Sequence, residues 1–154
     1  MADVVWVYDI VRGINSNYEL MKIKNTGYSA DYKIHNASDV VNIVKTVFSI
    51  DIMVEIGIYI VCMDRTGMVL GLFEVSRGTT RNCLQNIRGI VLRALLNNAG
   101  NIVAVRKHIG SVVVGKSDID YYNKLKEACK LVDIKLVDIL VVGDDSYCSV
   151  AEQG

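Results

Sequence analysis

The chain has 154 residues, 51% of them hydrophobic, with 17 basic and 17 acidic side chains and a formal net charge of +0. That length and apolar fraction exclude a disordered chain and fit one domain with a sizeable core. The balanced charge removes any global electrostatic case for nucleic acid or an anionic membrane and leaves only a local patch to consider.

Residues 1–35 read as a strand-rich N-terminal extension to a domain spanning 36–154. Val4 to Tyr8 has strand character, Asn15 to Asn17 is a turn, and Tyr18 to Lys24 is a second candidate strand. Asp3 and Asp9 interrupt the first apolar run, so it does not read as a signal peptide. The strand carrying Trp6 and Tyr8 either packs onto the domain as an added strand or offers a partner an open edge.

A helix is expected from His35-Asn36-Ala37-Ser38, with Asn36 or Ser38 as cap, Asp39 at its positive end, and Val40, Val41, Val44, Val47 and Phe48 on one face. His35 fits a cap-region role better than a ligand role, because no second ligand is near it. Two strands follow, about 56–63 and 68–75, joined by an Asp64-Arg65-Thr66-Gly67 turn. That turn breaks the most membrane-like stretch of the chain and excludes a spanning helix there. Ser76 to Asn86 is polar and reads as a loop. A second helix is predicted over 86–98, a strand over 101–105, a loop over 106–116, and a third helix over 118–132 with Ser117 as N-cap. Lys135 to Val142 and Tyr147 to Val150 complete the strands. Strands alternating with amphipathic helices after a hairpin indicate an α/β fold with a mixed sheet flanked by helices.

Four cysteines, Cys62, Cys83, Cys129 and Cys148, form no C-x-x-C pair, which argues against a zinc knuckle and for a reducing, cytoplasmic setting. Cys83, with Arg81 and Arg88 near it, has the charge environment of a reactive thiol. No histidine is placed to act as its base, so a free loop cysteine is the favoured reading. The chain has no proline, where average usage gives about seven.

The stretch 101–125 contains the pair that carries chemistry. His108 lies just past a strand end, and Asp118 lies in the first turn of the next helix. A histidine and a carboxylate so placed are two of the three protein ligands that an open zinc site needs.

Three stretches, VCMDRTGMVLGLFEVSRGTT (61–80), NIRGIVLRALLNNAGNIVAV (86–105) and LKEACKLVDIKLVDILVVGDDSYCSVAEQG (125–154), resemble the RadC-like branch of the JAB (JAMM/MPN) metalloprotease superfamily. The resemblance runs from about Asn36 to the chain end and implies a three-layer α/β domain. In that family a Glu precedes the first hairpin strand, H-x-H-P-S-G follows a later strand, and S-x-x-D opens the next helix. Two His and the Asp hold zinc, and the Glu activates the metal-bound water, whose pKa falls towards about 7.

Carried over residue by residue, Asp118 matches the aspartate and His108 the second histidine, with the loop one residue short. Arg106 then stands at the first histidine, and a guanidinium cannot ligate a cation. The proline, serine and glycine that follow the histidines become Ile109, Gly110 and Ser111, and the site serine becomes Gly115. The Glu falls at Ile56, with Glu55 one residue off and therefore on the opposite strand face. The terminal Asp-His pair is Asp138-Ile139.

The resemblance thus implies a domain whose zinc motif is largely lost, with no cofactor expected, or zinc if the site is intact. If it is active, Glu55 is the base and His108 and Asp118 are ligands. If it is not, Arg106 is expected to pair with Asp118 or Glu55 in the former site, with Arg106 and Lys107 both at its mouth. Three functions follow. The first is a non-catalytic domain that binds another protein, with an inhibitor of a host system suggested by the phage and mobile-element setting of short relatives. The second is a zinc-dependent peptidase or isopeptidase. The third is a nucleic-acid module using a basic face of Arg77, Arg81, Arg88, Lys107 and Lys116, for which a plain solvated surface is the favoured alternative. A homo-oligomer is compatible with all three, and no membrane partner is expected.

Overall fold

The strand Ile56–Met63 (β3) is buried at every residue after the first. A strand that is apolar on both sides needs cover on both sides, which only a sheet between two helical layers supplies. The structure, a computed structural model, describes residues 3–78, 86–109 and 112–153. Its other strands are β1 (Val4–Arg12), β2 (Tyr18–Ser29), β4 (Val69–Gly78), β5 (Asn101–Lys107), β6 (Lys135–Val142) and β7 (Tyr147–Ser149). Its helices are α1 (Ala37–Phe48), α2 (Ile87–Leu96), α3 (Lys116–Leu131) and α4 (Val150–Gln153).

One sheet of seven strands runs in the order β2-β1-β4-β3-β5-β6-β7. The β1–β4 and β5–β6 pairs are parallel and the others antiparallel. Strand alternation divides the core in two. Ile58, Ile60 and Cys62 of β3 pack with Ile102 and Ala104 of β5 against Ile90 of α2, Leu125 of α3 and Val150 of α4. Tyr59, Val61 and Met63 pack with Val103 and Val105 against Val40, Ile43, Val44 and Val47 of α1. The result is the three-layer mixed α/β architecture that the element order predicts. Among the described residues no helix is long and apolar enough to cross a membrane.

The first 35 residues add two strands to the sheet. β1 lies parallel to β4 with Val7 opposite Leu72, and Val5 and Val7 enter the core beneath α1. Tyr8 takes the other face, over Gly71, where an added Cβ would come within 2.8 Å of its ring and 2.6 Å of Asn97 Oδ1. Glycine is what lets β1 and α2 close on β4 at this point.

Local signals account for the element ends. Asn36 Oδ1 accepts from Asp39 N at 3.0 Å and Asp39 Oδ2 accepts from His35 N at 2.8 Å, a reciprocal cap in which the exposed His35 ring also sets its Nδ1 3.7 Å from Asp39 Oδ2. In the β3–β4 turn, Asp64 Oδ1 accepts from Thr66 N, Thr66 Oγ1 and Met68 N, and Gly67 takes a φ of +96°. The Thr66 hydroxyl, joined by the backbone amides, holds the Asp64 carboxyl below the usual carboxylate range.

Several boundaries differ from the predicted ones. β4 runs on to Gly78, opposite Ile56, through residues expected as loop, and β5 runs on to Lys107 because both its neighbours supply partners there. α3 starts at Lys116 with Gly115 as N-cap, not Ser117. The predicted loop residues Arg81 and Cys83 lie outside the described residues, as do Gly110 and Ser111.

Two measurements test this account. Gly71→Val should cost about 1–3 kcal/mol by forcing Tyr8 or Asn97 aside, read as a lowered urea midpoint with unchanged slope. Asp64, whose folded pKa is depressed, contributes stability that is present above its unfolded pKa of about 3.9 and lost as pH falls through the folded value. The stability difference between wild type and Asp64→Asn should therefore be flat near neutrality and shrink below about pH 4.

Candidate functional site

β5 ends in Arg106-Lys107, and the two-residue period sends these cations to opposite layers. Arg106 follows Ile102 and Ala104 onto the face of α3. Lys107 follows Val103 and Val105 onto the face of α1, where its side chain is 1% exposed and its Nζ lies 3.5 Å from Asp144 Oδ1. The expectation that Lys107 stands beside Arg106 at the mouth, or on a basic surface, is therefore corrected: it is a buried cation on the other side of the sheet.

On the α3 side the chain turns back through Val112–Gly115 and starts the helix. Asp118 is its third residue. Asp118 Oδ2 accepts from Gly115 N at 3.0 Å, the backward half of a capping box, and Asp118 Oδ1 accepts from Arg106 Nη1. The two side chains are 23% and 11% exposed, so the pair is largely shielded from water. A carboxylate so buried needs a counter-charge, and here the guanidinium supplies it.

Around this pair lies a cleft of about 310 Å³, whose walls include Arg106, His108, Ser117, Asp118 and Tyr121 and whose floor includes Ile58, Ala104 and Ile139. His108 is fixed through its backbone, whose N–H donates to Val142 O at 2.8 Å. Three buried polar atoms in these walls have no hydrogen-bond partner among the described residues: Arg106 Nε, His108 Nδ1 and Tyr121 Oη. Burial pushes the Tyr121 phenol up to about 12, so it keeps its proton across the working pH range. Tyr121 was not singled out by sequence reasoning. The signal was its spacing, since a residue three beyond Asp118 shares that side of a helix.

Glu55 does not join this group. It precedes β3 on the parity of Gly57 and Tyr59, and Tyr59 is a core residue of the α1 layer. Glu55 is one of the charges that, after burial and Glu74, raise the Tyr59 phenol. Among the described residues no ion pair links it to Arg106, and it does not line the cleft.

The donor set does not fit a three-ligand zinc centre. His108 and Asp118 are the ligand-type side chains of the cleft, the acid is engaged by a guanidinium, and no group of three His, Cys, Asp or Glu side chains comes together among the described residues. The remaining cations of the predicted basic face are dispersed. Arg77 lies 3.7 Å from Glu74, while Arg88 and Lys116 are exposed on different helices. Arg93 is largely buried, donating to Gly89 O at 3.1 Å with Asp9 at 3.7 Å. Cys62 and Cys129 are core residues whose thiols burial pushes up, Cys129 to about 11.

The family described as the RadC-like JAB domain matches residues 34–154 of the chain. A UPF0758 protein of Pseudomonas syringae pv. tomato is 34% identical over 93 residues, which is 60% of this chain and 42% of that protein. A UPF0758 protein of Halorhodospira halophila is also 34% identical over 93 residues, with the same coverage. One of Clostridium botulinum is 28% identical over 125 residues, 80% of this chain and 54% of that protein. The chain thus spans about half the length of these curated relatives.

Removing one member of the buried pair strands the other. Asp118→Ala should destabilise the fold by about 2–4 kcal/mol, because it leaves Arg106 without a counter-charge and the Gly115 amide without an acceptor. In a double-mutant cycle with Arg106→Leu, the combined loss should be smaller than the sum of the single losses.

Proposed function

The chain belongs to the RadC-like JAB domain family, and we propose that this member is non-catalytic and works by binding another protein. The observation that carries the reading is the Arg106–Asp118 pair. By the resemblance, Asp118 stands at a zinc-ligand position and Arg106 at the histidine that would share the metal. A fixed guanidinium then takes over the neutralisation of Asp118 that a metal ion provides elsewhere. It differs from a metal in one decisive respect. It has no vacant coordination position, so it can hold and orient an acceptor group but cannot bind and acidify a water.

The rest of the cleft agrees. A base would be needed on the cleft side of β3, and that position is Ile56, while Glu55 precedes the strand and does not line the cleft. What the cleft does present is an aliphatic floor beside an ion pair that is already satisfied, which suits recognition rather than turnover. On this reading the packing residues of the fold are retained because they hold a binding surface in shape. A regulatory role towards a host system is the finer form of the same proposal, and it rests on the resemblance alone.

Elemental analysis of the purified chain, with a zinc titration of wild type and His108→Ala, tests the reading. Zinc should be far below one equivalent per chain, and wild type and variant should titrate alike. One tightly held zinc that disappears in His108→Ala would overturn it in favour of a zinc hydrolase.

A further inference from the structure

α3 starts at the cleft and ends at the other end of the sheet, where its last turns run beside the start of β6. Between them lies a groove of about 390 Å³, lined by Arg65, Lys126, Lys130 and Lys135 together with Asp133 and Val137. Four cations against one carboxylate is a local excess in a chain whose net charge is +0. Arg65 Nη2 lies 2.9 Å from Asp133 Oδ2, so that pair is satisfied. The three lysines are exposed and enter no ion pair among the described residues. Lys126 and Lys130 stand four apart on one face of α3, a like-charge spacing that weakens a helix unless an anion lies across it. Lys130, in the last turn, is partly offset by the negative end of the helix dipole. Lys126 and Lys135 have no such compensation.

The strand side of the groove is open. β6 is bonded to β5 along its length, but β7 bonds it only at 140–142. α4 covers the stretch before that, because Asp138 accepts from Ala151 N and from the Ser149 hydroxyl. The main chain of 135–137 is left as a free sheet edge beside the lysines, and such an edge accepts an extended chain. Aliphatic side chains flank it, Val137 on the edge and Leu131 and Val132 where α3 ends, all of them exposed. An extended peptide that carries both carboxylates and aliphatic side chains answers all three features. A nucleic acid answers fewer. It has no peptide groups to pair with the edge, and the ring in the groove, Tyr122, is buried with Lys126 Nζ 5.7 Å from its centre, so no base can stack there.

We infer that this groove binds an extended acidic segment of a partner protein. The segment's main chain adds to the β6 edge at 135–137, its carboxylates meet Lys126, Lys130 and Lys135, and its aliphatic side chains rest on Val132 and Val137. The groove lies at the far end of α3 from the Arg106–Asp118 pair. The inference therefore goes beyond the reading of the cleft and does not depend on whether that cleft holds a metal.

Fluorescence anisotropy of the full chain with a labelled short peptide of alternating glutamate and valine tests this. The peptide should saturate one site at about 0.05 M salt and bind at least about tenfold more weakly at about 0.5 M. The same peptide with glutamine for glutamate should bind at least about tenfold more weakly, since several surface ion pairs, each weak alone, are lost together. A version N-methylated at alternate residues keeps the charges but cannot donate to the strand edge, and it should lose about fivefold or more. Lys126→Glu combined with Lys130→Glu should weaken the parent peptide at least about tenfold. Lys116→Glu, a like charge change at the other end of α3, should leave it unchanged. All three lysines are exposed, so thermal unfolding should stay close to wild type. The inference is overturned if the glutamine or the N-methylated peptide binds as tightly as the parent, if the double variant binds it unchanged, or if nothing saturates below about 1 mM. A short oligothymidylate that binds more tightly than the peptide and is released by the same double variant would also overturn it, and would assign the groove to nucleic acid. A zinc titration of the same samples keeps the two readings apart, because His108-dependent zinc would defeat the non-catalytic reading and leave the peptide result standing.

Discussion

Asp118 is fixed to the first turn of α3 by the Gly115 amide and to the end of β5 by Arg106. The contact joins the helical layer to the sheet at the point where the chain leaves β5 and returns as α3. Without a cation, a carboxylate 11% exposed would be a buried charge with no partner, and the turn that sets the helix start would loosen with it. The walls of the cleft, His108 on one side and Tyr121 on the other, are held in relation to each other by this joint. A metal would meet the same electrostatic need. A guanidinium meets it with a side chain that the strand itself carries.

Strand parity decides which side chains can take part. Arg106 and Lys107 are neighbours in sequence and equal in charge, yet one faces α3 and the other is buried towards α1 beside Asp144. Glu55 stands one step before Ile56, just outside β3, and does not line the cleft, whereas Ile56 packs on the cluster beneath it. In a helix or loop, one residue shifts a side chain by part of a turn. In a strand covered on both faces it moves the side chain to another layer, with no intermediate arrangement.

Much of the fold was legible in the chain. The bounds of β3 and β6 follow from runs of aliphatic residues ended by Asp64 and Gly143, and α1 follows from Asn36 and Asp39 ahead of a valine stripe. Elements whose ends depend on partners were less legible. β5 continues through two cations because β3 and β6 bond to it there, and β2 reaches Ser29 because β1 does. α4 is four residues long and is held by Asp138, which accepts from Ala151 N at 3.0 Å and from the Ser149 hydroxyl, a contact between separate segments with no local periodicity to announce it. At the site, His108, Asp118 and Arg106 were recognisable because residue type and spacing suffice to single out such groups. Tyr121 was not, because in sequence it is one more aromatic beside the core residue Tyr122.

The sequence by itself determined the layered α/β class and the family, since both rest on periodicity and on ordered short motifs that are local in the chain. It also contains Arg106, which the resemblance sets at a histidine of the metal-binding pattern. Only the tertiary structure decided what that arginine touches, that Lys107 is a core residue and that Glu55 is elsewhere. Those outcomes depend on which face of a strand meets which helix, a relation fixed by pairings between residues far apart in the chain.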